Sequence, residues 1–157
     1  MNLFLARHAM AQNASNSSND FNRKLTLDGV KQAELLGDFL LGCEMNNADV
    51  YISSSYRTKE TAIIAFPKLK ITKSMYKTEL YLTSYQDLLN FINRLNTTND
   101  IFILGHNEGI STLASYLTDQ YVALNTASCV LINFNCENSN EISGATGTIT
   151  SFFNPDF

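Results

Sequence analysis

Residues 101–104, Ile-Phe-Ile-Leu, are uninterrupted apolar side chains closed by Gly105. A run this short cannot form a stable helix. With every side chain apolar, it reads as a strand covered on both faces rather than one facing water. The segments on either side carry a different period. Leu88, Phe91, Ile92 and Leu95 precede it, and Ile110, Leu113, Ala114 and Leu117 follow it, both at helical spacing. A doubly covered strand between two amphipathic helices predicts an α/β fold, three layers α/β/α with a mostly parallel central sheet.

The same alternation extends along the chain. Residues 3–6 read as a buried strand ending at Arg7 and His8, and residues 50–52 as a second strand ending in Ser53, Ser54 and Ser55. A helix is expected from Thr26, which serves as N-cap. Asp28 favours its positive first turn, and Leu25 is placed to staple against Val30. Its stripe is read as Val30, Ala33, Gly37, Leu40 and Leu41, with Gly42 as the stop. A second helix spans 56–66 and halts at Pro67. Residues 69–76 suit an edge strand, Ser84 with Asp87 opens the helix before the 101–104 run, and strands at 129–134 and 148–153 finish the pattern. The polar, asparagine-rich segment 11–24 is too long for an ordinary connection, and such loops are usually functional or disordered. No internal repeat or linker interrupts the 157 residues, so one domain over 1–157 is expected.

Charge and cysteine content narrow the function classes. With 11 basic and 15 acidic side chains the net charge is −4, and no basic run offers a face for tracking phosphates, which argues against nucleic acid as a partner. Three cysteines, Cys43, Cys129 and Cys136, form no C-x-x-C pair and read as buried free thiols in a reducing cytosol. The first residues lack the pattern of a signal peptide, and no apolar stretch approaches the roughly 18 residues of a membrane helix. A soluble cytoplasmic protein without a membrane partner is expected.

The chain has two histidines, and each stands just past a predicted strand: His8 after 3–6 and His106 after 101–104. Arg7 precedes His8, and Arg57 opens the helix after Ser55. Ligands of open parallel sheets bind beyond the carboxyl ends of the strands, so all four side chains are expected on one rim. A histidine met singly could be a satisfied surface residue; two at the same topological position point to a site. Arg57 and Lys59 sit where a helix terminus is already positive. Such a local conflict marks a functional position, and with the free N–H groups of that turn it suggests an anion pocket, for phosphate above all. Two guanidinium groups and two imidazoles suit phosphoryl transfer through a phosphohistidine. A neutral His8 is nucleophilic near pH 7, Arg7 and Arg57 hold phosphoryl oxygens, and His106, if protonated, adds a charge-assisted bond. A metal hydrolase would want a third ligand at local spacing, which neither histidine has, so no metal and no cofactor is expected. Phosphate-loop, dinucleotide and serine-elbow motifs are absent.

These motifs resemble a known family. Arg7-His8-Ala9 is similar to the R-H-G/A signature of the histidine phosphatase (phosphoglycerate mutase-like) superfamily. The stretch from Arg23 to Gly29 resembles its R-x-L-T-x-x-G, Ser53 to Thr61 its S-x-x-x-R-x-x-x-T, and Gly105-His106-Asn107 its second-histidine motif. Small size and the Thr126-Ala127-Ser128 run resemble the SixA-type phosphohistidine phosphatase branch. The resemblance implies a histidine phosphatase-like fold, His8 as the phosphorylated nucleophile, and Arg7, Arg57 and His106 as the phosphate pocket. Arg23 and Asn107 would be further substrate contacts, and Asp20 could flank the substrate beside Arg23. Glu79, in Thr78-Glu79-Leu80, stands where many members have P-E-L and would be the acid that protonates the leaving group. The implied partner is a phosphorylated protein carrying phosphohistidine, such as a phosphorelay domain, because the large cap expected for enclosing a sugar phosphate is missing. A hydrolase of small phosphomonoesters or phosphoramidates, and a phospho-binding module without turnover, are the alternatives. Ala9 departs from the commoner glycine. Glu108 departs from the usual proline, placing a carboxylate where it could weaken phosphate binding or raise the pKa of His106.

Overall fold

The computed structural model describes residues 1–16, 19–43, 45 and 47–155. Among them, six strands form one sheet: β1 (Asn2–Arg7), β2 (Ala48–Ser53), β3 (Lys73–Lys77), β4 (Asp100–Gly105), β5 (Cys129–Phe134) and β6 (Gly147–Phe153), in the order β3-β2-β4-β1-β5-β6. Four helices cover it, α1 (Leu27–Gly42), α2 (Tyr56–Ala65), α3 (Tyr85–Leu95) and α4 (Gly109–Thr118). The first four strands pair in parallel, β5 runs antiparallel to β1, and β6 antiparallel to β5. The expected α/β/α architecture is therefore present, with a hairpin-like antiparallel margin.

Strand alternation divides the core into two layers. Leu3, Leu5, Ile101 and Ile103 pack with Leu88, Phe91 and Ile92 of α3 and Leu113 and Leu117 of α4. Phe4, Ala6, Phe102 and Leu104 pack with Ala33, Leu36 and Leu40 of α1 and Ala62 and Ala65 of α2. Residues 101–104 are fully buried, as their composition requires of a strand covered on both faces. β3 forms one margin, where Lys73 and Lys77 discourage further strand pairing.

Several local expectations shift. Thr26 caps α1 by accepting from the Gly29 N–H, but the buried stripe runs through Ala33, Leu36, Gly37 and Leu40, leaving Leu41 50% exposed. One further residue rotates the side chain by about 100°, off the face that meets α2. The third strand begins at Lys73, while Leu69 and Ile71 pack against the α1–α2 core layer from outside the ladder. The segment 11–24 is tied at its base by the Ala11–Leu25 bridge and carries 3-10 turns at Ala14–Asn16 and Asp20–Asn22; Ser17 and Ser18 lie outside the described residues. All three cysteines are free, but only Cys129 is buried. Cys43 caps the end of α1 and Cys136 follows β5, and both are partly exposed. Among the described residues no helix is long and apolar enough to cross a membrane.

Candidate active site

β1 and β4 lie side by side in parallel, with Arg7 opposite Gly105, so the chain leaves both strands at the same edge of the sheet. His8 and His106 are the next residues, and their ring centroids are 5.2 Å apart. β2 ends beside β4 at Ser53, and α2 starts at Tyr56, which carries Arg57 onto the same rim. Arg7, His8, Arg23, Arg57, His106 and Asn107 line one cleft of about 250 Å³, together with Asp20, Leu82 and Thr126.

Hydrogen bonds fix the protons of the two imidazoles. His8 Nδ1 lies 2.7 Å from the Ala9 carbonyl oxygen, which can only accept, so this nitrogen carries the proton. His8 Nε2 receives the Nε–H of Arg57 at 3.1 Å and is therefore a bare lone pair. Burial, with the neighbouring His106 ring and the positive Arg57 and Arg7, pushes the His8 pKa well below 6.5 against the opposing pull of the Ala9 carbonyl. His106 Nδ1 accepts from a terminal Arg57 N–H at 3.2 Å, and its Nε2 donates to Ser53 Oγ at 2.8 Å. Its pKa is lowered to about 3, by burial first and by Arg57 second. The charge-assisted bond that a protonated His106 would add is therefore not preformed: both rings are held in the neutral form near pH 7. Glu108 does not counter this, being exposed on the cap of α4 and outside the cleft lining.

Arg57 is 2% exposed and joins the whole site. Besides the two imidazoles it donates to the Asp20 carbonyl at 2.7 Å and to Asp20 Oδ2 at 3.1 Å. The Tyr81 ring lies 5.8 Å from its guanidinium carbon and 5.3 Å from the His106 ring. Arg7 donates to the Leu124 carbonyl at 3.1 Å, while its Nε is buried without a hydrogen-bond partner among the described residues. The guanidinium groups of Arg7, Arg23 and Arg57 along one cleft suit an oxyanion.

The chain's residues 3–81, half of its length, match the model of the histidine phosphatase superfamily (branch 1). The chain belongs to this superfamily. Solved histidine phosphatase-like structures extend the likeness to nearly the full length. A protein described as phosphohistidine phosphatase SixA from Nakamurella multipartitia is 20% identical with a TM-score of 0.85, over 98% of this chain and 95% of that one. The protein histidine phosphatase SixA complexed with tungstate gives 17% and 0.80, over 97% and 96%. A phosphoserine phosphatase variant from Entamoeba histolytica in complex with phosphoserine gives 14% and 0.65, over 96% and 95%. These likenesses concern the fold. No curated protein sequence matches the chain.

The remaining expected site residues fall differently within this histidine phosphatase. Arg23 reaches the cleft, donating to Asp20 Oδ1 at 2.9 Å and to the Gln12 carbonyl at 2.8 Å. Asn107 reaches it too, with its amide donating to the Leu124 carbonyl at 2.9 Å and its oxygen accepting from Ser111. Glu79 is not brought in. It sits on the 3-10 turn Thr78–Leu80 and pairs with Arg94 of α3 at 3.0 Å on the exposed surface. Lys59 also turns away, lying over the Tyr76 ring at 5.2 Å and outside the cleft lining. Besides the lining residues Met10, Ala11, Leu82 and Thr126, three site members were not assigned from the sequence: Ser53, Ala127 and Tyr81. Ser53 fixes the His106 tautomer, and its signal was present: like both histidines, it is polar at the end of a buried strand. Ala127, within the Thr126-Ala127-Ser128 run, donates its N–H to the His8 carbonyl at 3.0 Å, and Tyr81 donates its hydroxyl to Asp20; nothing local in the sequence marks Tyr81.

Proposed function

We propose that this histidine phosphatase hydrolyses a phosphoryl group through a covalent phosphohistidine on His8, and that its substrate is phosphohistidine in a protein. The observation that carries the reading is the His8 Nε2 lone pair, held bare and neutral against the Arg57 guanidinium. In the first step Nε2 attacks phosphorus, the bond from phosphorus to the leaving group breaks, and the leaving group takes up a proton. In the second, water attacks the phosphoryl on Nε2, releasing inorganic phosphate and the neutral imidazole. Arg57 and Arg7, both lining the cleft, neutralise charge on the equatorial oxygens. A phosphoryl dianion beside His106 favours its protonated form, so that ring can gain a proton on binding.

The P–N substrate fits the position of Glu79. An imidazole leaving group is basic enough to be protonated by solvent at its other ring nitrogen and so leaves as the neutral ring without a dedicated acid, and Glu79 is engaged with Arg94. The protein called SixA in the solved complex is named for histidine phosphatase activity, which favours the same substrate class here. The three free thiols suit a reducing cytoplasm. The test compares phosphate release from a phosphohistidine protein with release from a panel of small phosphomonoesters. A kcat/KM at least about 100-fold higher for the P–N substrate, roughly 2.7 kcal/mol in the transition state, is expected. Preference for an ester would favour the small-molecule reading, and phosphate affinity without turnover of any substrate would favour a binding module.

A further inference from the structure

Asp20 is the carboxylate that lines the cleft among the described residues, and it is held there by the groups a phosphoryl needs. Its Oδ2 accepts from Arg57 at 3.1 Å and from the Tyr81 hydroxyl, and its Oδ1 accepts from Arg23 at 2.9 Å. Its backbone carbonyl takes another Arg57 N–H at 2.7 Å. Two guanidinium groups and a hydroxyl around two carboxylate oxygens form the donor set that also suits two oxygens of a phosphoryl group. Arg57 is almost wholly buried, so its charge requires an anion close by, and Asp20 supplies it. Yet a phosphoryl near His8 Nε2 needs those same N–H groups, including the Nε–H that now points at the nucleophile.

We propose that Asp20 is the resident counter-anion of the phosphate site, which the incoming phosphoryl displaces from Arg57 and Arg23, and which thereby holds down the affinity for free phosphate. The inference rests on the phosphate-site reading given above. Asp20 acts on the reaction in two directions. It competes with the anion on entry, and by returning to Arg57 it assists departure of the inorganic phosphate product. Its side chain sits on the short turn Asp20–Asn22, within the polar segment, so it can swing aside without disturbing the sheet. Tyr81, whose ring stacks edge-on against Phe21 at 5.0 Å, holds the carboxylate in place.

The opposite role would be that of a positioning residue, in which Asp20 orients Arg57 and strengthens phosphate binding. Inorganic phosphate is the probe that separates the two, read as its inhibition constant in turnover and as the phosphate-induced rise in melting temperature. Asp20→Asn is expected to tighten phosphate binding about fivefold, the size of one partly exposed ion pair, with a larger melting shift than the parent. Tyr81→Phe keeps the charge but frees the carboxylate, and is expected to tighten phosphate binding by a smaller factor. It decides the matter if Asp20→Asn does not fold. Unchanged or weaker phosphate binding in the decisive variant overturns the proposal. Arg57→Ala separates this failure from that of the phosphate site itself. If phosphate binding is lost in Arg57→Ala but unmoved in Asp20→Asn, only the role of Asp20 falls. If Arg57→Ala leaves phosphate binding unchanged, the phosphate-site reading falls with it.

Discussion

Ser53 Oγ and the Ala9 carbonyl each take one ring proton, and those two bonds leave His106 Nδ1 and His8 Nε2 bare towards Arg57. Ser53→Ala removes the acceptor of the His106 proton, and Ser55 Oγ at 3.5 Å is a poor replacement. An unpaired buried N–H costs about 1–3 kcal/mol. The variant is expected to lose about tenfold in kcat, with circular dichroism unchanged; steady-state rates equal to the parent's would remove Ser53 from the site. At this scale the sequence was legible where backbone alone decides. Arg7, His8 and His106 are fixed by strand ends, and Arg57 by the first turn of α2. It placed Asp20 beside Arg23 but did not supply the partners, since a distant side chain decides them. Glu79 is drawn outwards by Arg94, and Asp20 is captured by Tyr81, whose hydroxyl no local pattern assigns.

Helix α1 meets the segment after His8 at Gly29, where an added Cβ would stand 2.0 Å from the Met10 carbonyl oxygen. That oxygen accepts the Thr26 N–H at 3.0 Å, so the contact joins the start of α1 to the strand exit that carries His8. Gly29→Ala is expected to cost about 3 kcal/mol, the overpacking penalty of a rigid backbone contact, read as a lower denaturant midpoint with an unchanged m-value. A midpoint equal to the parent's would contradict the packing described. Helix and strand positions followed from period and composition because the apolar faces had to be covered. Strand direction did not. The pattern of residues 129–134 is the same whether they run up or down, and only pairing with β1 makes β5 antiparallel. Leu41 was misplaced in the α1 stripe because an apolar residue beside the true face satisfies a loose helical spacing; Leu36 shows where that face lies.

The molecule is acidic overall, at −4, yet it gathers Arg7, Arg23 and Arg57 at one end of the sheet and keeps two buried imidazoles neutral among them. That arrangement sets a pH dependence for the whole fold. The unfolded chain protonates its histidines near pH 6.5, whereas the folded protein resists until about pH 3 at His106 and well below 6.5 at His8. Between those values the unfolded state binds more protons, so stability falls as pH drops through the window and is fully present above it. Thermal melts from pH 7 down to 4 should show a decline that His106→Gln makes shallower, with the His8 share remaining; a flat profile in the parent would contradict the buried neutral rings. The central claim is that His8 Nε2 becomes phosphorylated during turnover. Rapid quenching under alkaline conditions with a labelled phosphohistidine substrate, followed by mass analysis of the intact chain, tests it most directly. The account predicts one acid-labile, base-stable phosphoryl group per chain, on His8 and absent in His8→Ala. Turnover at the parent rate by His8→Ala, with no phosphorylated chain trapped in either protein, would contradict it.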